Sequence, residues 1–128
     1  TRGTTAAHLT RAALESIAFQ SRDVLDAMCA DAGVPVRRLR VDGGAVVNDL
    51  LCQFQADITG VPVLRPAVIE TTALGAAGLA GLGAGLWRSL AGIGGRQTIE
   101  RTFTPSMNGG ERAARYAEWQ RAVARVRS

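Results

Sequence analysis

Apolar side chains recur at Leu9, Ala13, Ile17, Val24 and Met28, close to the spacing of one helical face. This predicts a long amphipathic helix from Thr5 to Asp31, with Thr4 as its N-cap and Gly33 as its stop. The run VRRLRVDGG then reads as a short strand, VVNDLLCQFQADITG as a helix stopped by Gly60, and VPVLRP as a second strand fenced by Pro62 and Pro66. The uncharged run TTALGAAGLAGLGAGLW, residues 71–87, reads as a buried helix capped by Thr71 or Thr72, whose small residues allow close packing. Residues 88–110 are rich in glycine and serine and read as loop, with one extended piece at IERTFTP. Over residues 111–127 a last helix places Tyr116, Trp119, Val123 and Val126 on one face with arginines opposite, and this face is expected to pack back on the body. Helix, strand, helix, strand, helix implies two parallel strands joined by a right-handed crossover, hence an α/β layer.

The uncharged run carries Gly81 and Gly85 at the spacing of packed membrane helices. It falls short of the roughly 20 predominantly apolar residues that a span requires, so no membrane partner is expected. The chain has 128 residues, enough for one domain, and a net charge of +4. All fifteen basic residues are arginine, which excludes a phosphate loop with its lysine, a Schiff base and a Ser-Lys pair within this chain. Cys29 and Cys52 lie in predicted helices without a CxxC partner, and His8 makes no metal-binding spacing with them. Both thiols read as reduced, buried and structural, in a cytoplasmic protein. The start, TRGTTAAHLT, lacks an initiator Met and any signal peptide, which suggests a piece of a longer polypeptide.

Where the first strand ends in Asp42, Gly43 and Gly44 and passes into a helix, free backbone N–H groups and the positive end of the helix dipole converge. Such a turn suits an anion, phosphate above all, and lies at the strand end where open α/β sheets gather ligands. Asn48, one helical turn further on, could offer its amide to a base or ribose; equally, it could simply start the helix, with glycine supplying a positive φ. Asp42 is a turn former or a group near bound Mg²⁺. A second glycine cluster, Gly92, Gly94 and Gly95, is not followed by a helical pattern. Glu15 and Asp23 nominally share a helix face, while Arg22 beside Asp23 and Arg11 four residues before Glu15 read as ion partners. A basic module for RNA is the rival class, with Arg37, Arg38 and Arg40 clustered and Arg112, Arg115, Arg121, Arg125 and Arg127 on the last helix. With only two Trp, one Tyr and three Phe there is no stacking platform, so no nucleic acid is expected.

The runs HLTRAALESIAFQSRDVLDAM, LRVDGGAVVNDLLCQFQADITGVPVLRP and ETTALGAAGLAGLGAGLW together resemble the C-terminal part of the FGGY family of carbohydrate kinases. The resemblance extends to the final RYAEWQRAV, and the opening TRG with HLTRAALE is similar to the later part of the family's second signature. It implies part of a ribonuclease-H-like, actin-type ATPase domain with its upstream strands missing, whose partner across a cleft is the missing N-terminal part of the same kinase. ATP or ADP with Mg²⁺ is implied on the C-terminal side. In the family's Gly-Gly-Ala motif the second glycine contacts phosphates and the asparagine four positions on contacts adenosine; here these are Gly44 and Asn48, with Gly43 and Ala45 completing the motif. Glycerol is the implied substrate of the full enzyme, with glycerol 3-phosphate as product. The polyol pocket and the base are implied upstream, so no catalytic residue is assigned and the isolated chain is expected to be inactive. Its uncovered apolar face and sheet edge would favour a homo-oligomer. The alternatives are a kinase for another polyol or sugar, or a non-catalytic, kinase-derived interaction module. Two departures stand out: Asp49 replaces a frequent second asparagine, and Gly78 a larger residue.

Overall fold

The computed structural model describes residues 2–89 and 98–127. Helix α1, Ala6–Ala32, is capped by Thr5 and not by Thr4. The side chain three residues on decides this: His8 Nδ1 accepts the Thr5 backbone N–H at 3.1 Å and lies 2.8 Å from Thr5 Oγ1. Gly33 ends the helix as expected, its N–H donating to the Cys29 carbonyl at 3.0 Å.

Strand β1, Leu39–Arg40, runs parallel to β2, Val63–Pro66, with Leu39 opposite Val63 and Arg40 opposite Leu64. Between them the chain makes a 3-10 turn, Gly44–Val47, and helix α2, Asp49–Thr59, ended by Gly60. The extended piece expected in IERTFTP is a third strand, β3, Ile99–Phe103, antiparallel to β2. The two predicted parallel strands are therefore part of a mixed three-stranded sheet in the order β1-β2-β3. Helices α3, Thr71–Gly83, and α4, Gly109–Arg127, complete the described elements. Thr71 is the first residue of α3, with Glu70 before it, so neither threonine is the cap.

Helix α2 is buried on two sides because apolar residues run around most of its circumference. Cys52 and Ala56 join Val46, Val63 and Phe103 against the sheet, while Leu51, Phe54 and Ile58 meet Ala18 of α1. Helix α4 reaches this second cluster through rings. Trp119 stacks on Phe19 with centroids 5.3 Å apart, and Phe19 meets Phe54 edge-on at 5.5 Å. Val126, expected on the same face, is exposed.

Two burial expectations are corrected. On α1, Ala18 and Leu25 are buried, whereas Leu9, Ile17, Val24 and Met28 are exposed. The apolar stripe is wider than the strip that α2 can cover, and Ile17, Val24 and Met28 line an open groove of about 540 Å³ with Val36, Leu39 and Val41. On α3 only Gly78 and Gly81 are buried, and Leu79 is 60% exposed, because nothing among the described residues packs across its outer face. Among the described residues no helix is long and apolar enough to cross a membrane. Cys52 is buried as expected but Cys29 only half-buried, and both are free thiols.

Candidate functional site

The turn after β1 is built from short-range bonds. Val41 N–H donates to the Leu64 carbonyl at 3.2 Å and keeps the chain on the sheet to its end. Gly43 then adopts φ 82°, ψ 171°, a conformation essentially restricted to glycine. Its N–H donates to the Ile69 carbonyl at 2.8 Å, and its own carbonyl accepts from Val46 N–H at 3.2 Å. Among the described residues, the next two N–H groups, of Gly44 and Ala45, have no protein acceptor. They sit at the open start of the 3-10 turn that leads into α2, the position where helical N–H groups are left over.

Neither the backbone nor the packing of the described residues requires glycine at position 44. Its φ is not in the left-handed region, and a Cβ built on it meets no atom within 4 Å. Asn48 starts the helix, one of the two readings the sequence allowed. Its Oδ1 accepts Leu51 N–H at 3.1 Å and caps α2, leaving its amide N–H₂ without a protein acceptor among the described residues. Asp42 resolves toward structure: its Oδ2 accepts the Thr71 hydroxyl and ties the turn to the first residue of α3. Beside this contact lies a pocket of about 280 Å³ lined by Arg40, Val41, Asp42, Pro66, Thr71 and Ile99. The structure thus brings Gly43, Gly44, Ala45 and Asn48 together on one turn. Gly92, Gly94 and Gly95 lie outside the described residues.

Beneath the turn is a residue the sequence reading passed over. Arg65 of β2 is 8% exposed, and its Nη1 donates to the Val46 carbonyl and to Asp49 Oδ1, each at 2.8 Å. Its Nε donates to Glu100 Oε2 at 2.7 Å, and the guanidinium lies 5.2 Å from the centre of the Phe103 ring. Hydrogen bonds to Glu100 first, then to Asp49, hold its proton more firmly than usual. The Arg65 hydrogen bond likewise pulls the Asp49 carboxyl below its ordinary value, with Arg101 adding to it. Burial pushes the Cys52 thiol up, and its sulfur donates to the same Val46 carbonyl at 3.2 Å. Alternation along VPVLRP placed Arg65 on the inward face with Val63, the one signal that pointed to it.

Other predicted groupings do not form a site. Glu15 is bonded to Arg11 at 2.5 Å, as expected, while Asp23 is taken by Tyr116 and Trp119. Arg22 pairs with Asp26 instead of Asp23, at 2.7 Å, because i and i+4 face each other on a helix and neighbours do not. Arg112 is half-buried and used: Nε donates to the Asp57 carbonyl at 2.6 Å and Nη2 to the Met107 carbonyl at 3.0 Å. Among the described residues no three His, Cys, Asp or Glu side chains gather as metal ligands.

A parallel strand pair crossed by a helix, with a glycine turn at the strand end, defines an α/β protein with an open turn where such sheets gather ligands. The chain belongs to the FGGY family of carbohydrate kinases, whose C-terminal-domain model matches residues 1–84. It is 60% identical over its full length to a glycerol kinase of Shewanella oneidensis and 59% identical over 127 residues to one of Symbiobacterium thermophilum. In each case it spans 26% of the relative's length, about a quarter. Among solved structures it resembles the Plasmodium falciparum glycerol kinase with ADP, at TM-score 0.82 and 35% identity, over 98% of this chain and 25% of that one. A ligand-bound xylulose kinase from Lactobacillus acidophilus matches at TM-score 0.71 and 26% identity, over 97% of this chain and 26% of that one.

Proposed function

We propose that this chain is the nucleotide-side portion of a cytoplasmic kinase that passes the γ-phosphoryl group of ATP to a primary hydroxyl of glycerol. The observation that carries this reading is Gly44, a glycine that neither backbone strain nor packing requires, whose N–H and that of Ala45 have no protein acceptor among the described residues. Phosphate oxygens brought against the turn satisfy Gly44 and Ala45 N–H, with Gly43 setting the bend, while the free Asn48 amide meets the adenosine. Identity near 60% to glycerol kinases, against 26% to the xylulose kinase, favours glycerol over another polyol or sugar.

In the transfer the hydroxyl oxygen attacks the γ-phosphorus, the bond to the bridging oxygen breaks, and ADP leaves with that oxygen. This chain contributes positioning: donors aimed at phosphate oxygens, and a helix start whose dipole favours their charge. Mg²⁺ would supply charge neutralisation for the phosphates, while Asp42 spends Oδ2 on the Thr71 hydroxyl. The hydroxyl's base and the polyol pocket belong to the remainder of the kinase, which covers the apolar groove along Ile17, Val24 and Met28. Uncovered, that groove makes the chain associate with itself.

The test is Gly44→Val in the native polypeptide that carries this sequence. ADP binding, measured by calorimetry, weakens by at least about tenfold, the equivalent of one lost phosphate contact, and glycerol-dependent ATP turnover falls with it. Unchanged ADP affinity in a folded variant overturns the reading. So does glycerol-dependent turnover by the 128-residue chain alone.

A further inference from the structure

We propose that Arg65 is a positioning residue for nucleotide binding, holding the turn from Gly44 to Asn48 in the shape that aims its free N–H groups outward. The inference rests on the reading of that turn as the nucleotide site. A 3-10 turn holds itself poorly, and here the bonds at its two ends, Val46 N–H to the Gly43 carbonyl and Asn48 N–H to the Ala45 carbonyl, are both 3.2 Å long. An external donor supplies what the turn lacks. Arg65 Nη1 grips the Val46 carbonyl in the middle of the segment and Asp49 Oδ1 directly after Asn48. One planar, nearly buried group therefore fixes two points that flank the proposed adenosine contact.

The same guanidinium also settles the charge. Asp49 places a carboxylate in the first turn of α2, beside a site meant for phosphate, where it would repel the ligand. Arg65 and Arg101 bracket it, so the site meets the nucleotide without an unbalanced negative group. Glu100 in turn holds Arg65 through Nε, so the chain of contacts runs from β3 through β2 to the turn. The links start on two paired strands and end on the 3-10 turn and the first residue of α2, which lets a residue beneath the turn set its geometry.

The experiment compares variants in the native polypeptide that carries this sequence, reading the ADP dissociation constant and the KM for the polyol separately. Arg65→Lys keeps the charge but cannot hold Val46, Asp49 and Glu100 at once. The ADP constant rises about tenfold or more, while the KM for the polyol stays within about twofold, the spread of an untouched site. An unchanged ADP constant in the folded variant, or equal losses for both ligands, overturns the role. Glu100→Gln provides a second arm if Arg65→Lys does not fold: it leaves Nη1 on Val46 and Asp49 and loosens only the Nε and Nη2 contacts. Here ADP weakens about threefold with polyol unaffected, and no change or equal change in both overturns the proposal. Gly44→Val separates the two failures. If it leaves ADP binding intact, the nucleotide reading itself falls; if it abolishes binding while Arg65→Lys and Glu100→Gln do nothing, only the role of Arg65 falls.

Discussion

Trp119 donates its indole N–H to Oδ2 of Asp23 across 2.8 Å, joining helices that are 96 residues apart in sequence at this point. Tyr116 donates its hydroxyl to the other oxygen, Oδ1, at 2.5 Å, so one carboxylate holds both aromatic donors of α4 against α1. Asp23→Ala leaves two half-buried donors without their acceptor, and the expected cost is about 1–3 kcal/mol. Asp23→Asn keeps one accepting oxygen and should lose less. Denaturant titration measures both losses, and hydrogen exchange shows whether α4 opens first. Equal stability of Asp23→Ala and the parent sequence would sink this account of how α4 is held.

The same contact sets an alkaline limit. Burial first, and then the Asp23 hydrogen bond, push the Tyr116 hydroxyl up to about 12 from an ordinary 10. A group whose folded value lies above its unfolded value binds its proton more tightly in the fold, so its contribution is complete below about pH 10 and disappears as pH rises through about 12. Tyr116 is the one tyrosine in the chain, so tyrosinate absorbance reports it alone. The expected titration is displaced upward in the folded protein and returns to the ordinary value in denaturant. Tyr116→Phe should flatten the loss of stability over that window.

The parts of the fold that were readable from the sequence are those decided locally. Gly33 and Gly60 mark helix ends because the chain cannot continue the helix there without a special residue, and Asp42 to Gly44 marks a turn for the same reason. The N-cap of α1 missed by one residue because Thr4 and Thr5 both qualify, and the choice falls to the reach of the His8 ring. Non-local partners were invisible. The partners of Arg65, Asp49 and Glu100, lie 16 and 35 positions away, and no spacing rule links a strand arginine to either. Apolar periodicity identified the stripe on α1 but not its cover, since a pattern records that Ile17, Val24 and Met28 are apolar and nothing about the surface that meets them. The turn that holds the candidate site was readable because Gly43, Gly44, Ala45 and Asn48 follow one another closely in sequence.

Gly43 and Gly44 should separate stability from binding. At φ 82°, ψ 171°, Gly43 occupies a region that costs a residue with a side chain about 1–3 kcal/mol. Gly44 has no such φ and open space where a Cβ would stand. Gly43→Ala is therefore expected to lower the denaturation midpoint clearly, whereas Gly44→Ala should stay within about 0.5 kcal/mol. Equal losses at both positions would mean that Gly44 is kept for the fold, and would remove the observation on which the nucleotide reading stands.

Helix α3 offers a matched pair of glycines in which the sign depends on one ring. Alanine in place of glycine inside a helix normally gains about 0.8–1.0 kcal/mol. At Gly75 nothing lies within 4 Å of a Cβ, so Gly75→Ala should deliver about that gain. At Gly81 a Cβ would stand 2.5 Å from Nε1 and 2.9 Å from Cδ1 of Trp87, whose ring folds back over the helix after Leu86 N–H closes onto the Gly81 carbonyl at 2.8 Å. Crowding of this kind costs about 1–3 kcal/mol and outweighs the helical gain. The expected result is that Gly75→Ala stabilises while Gly81→Ala does not, by denaturant titration of each. A double-mutant cycle then isolates the cause: combined with Trp87→Ala, Gly81→Ala should regain the benefit seen at Gly75, because the ring that opposed the methyl group is gone. If Gly81→Ala stays unfavourable without the ring, the small residues of α3 serve a surface other than Trp87.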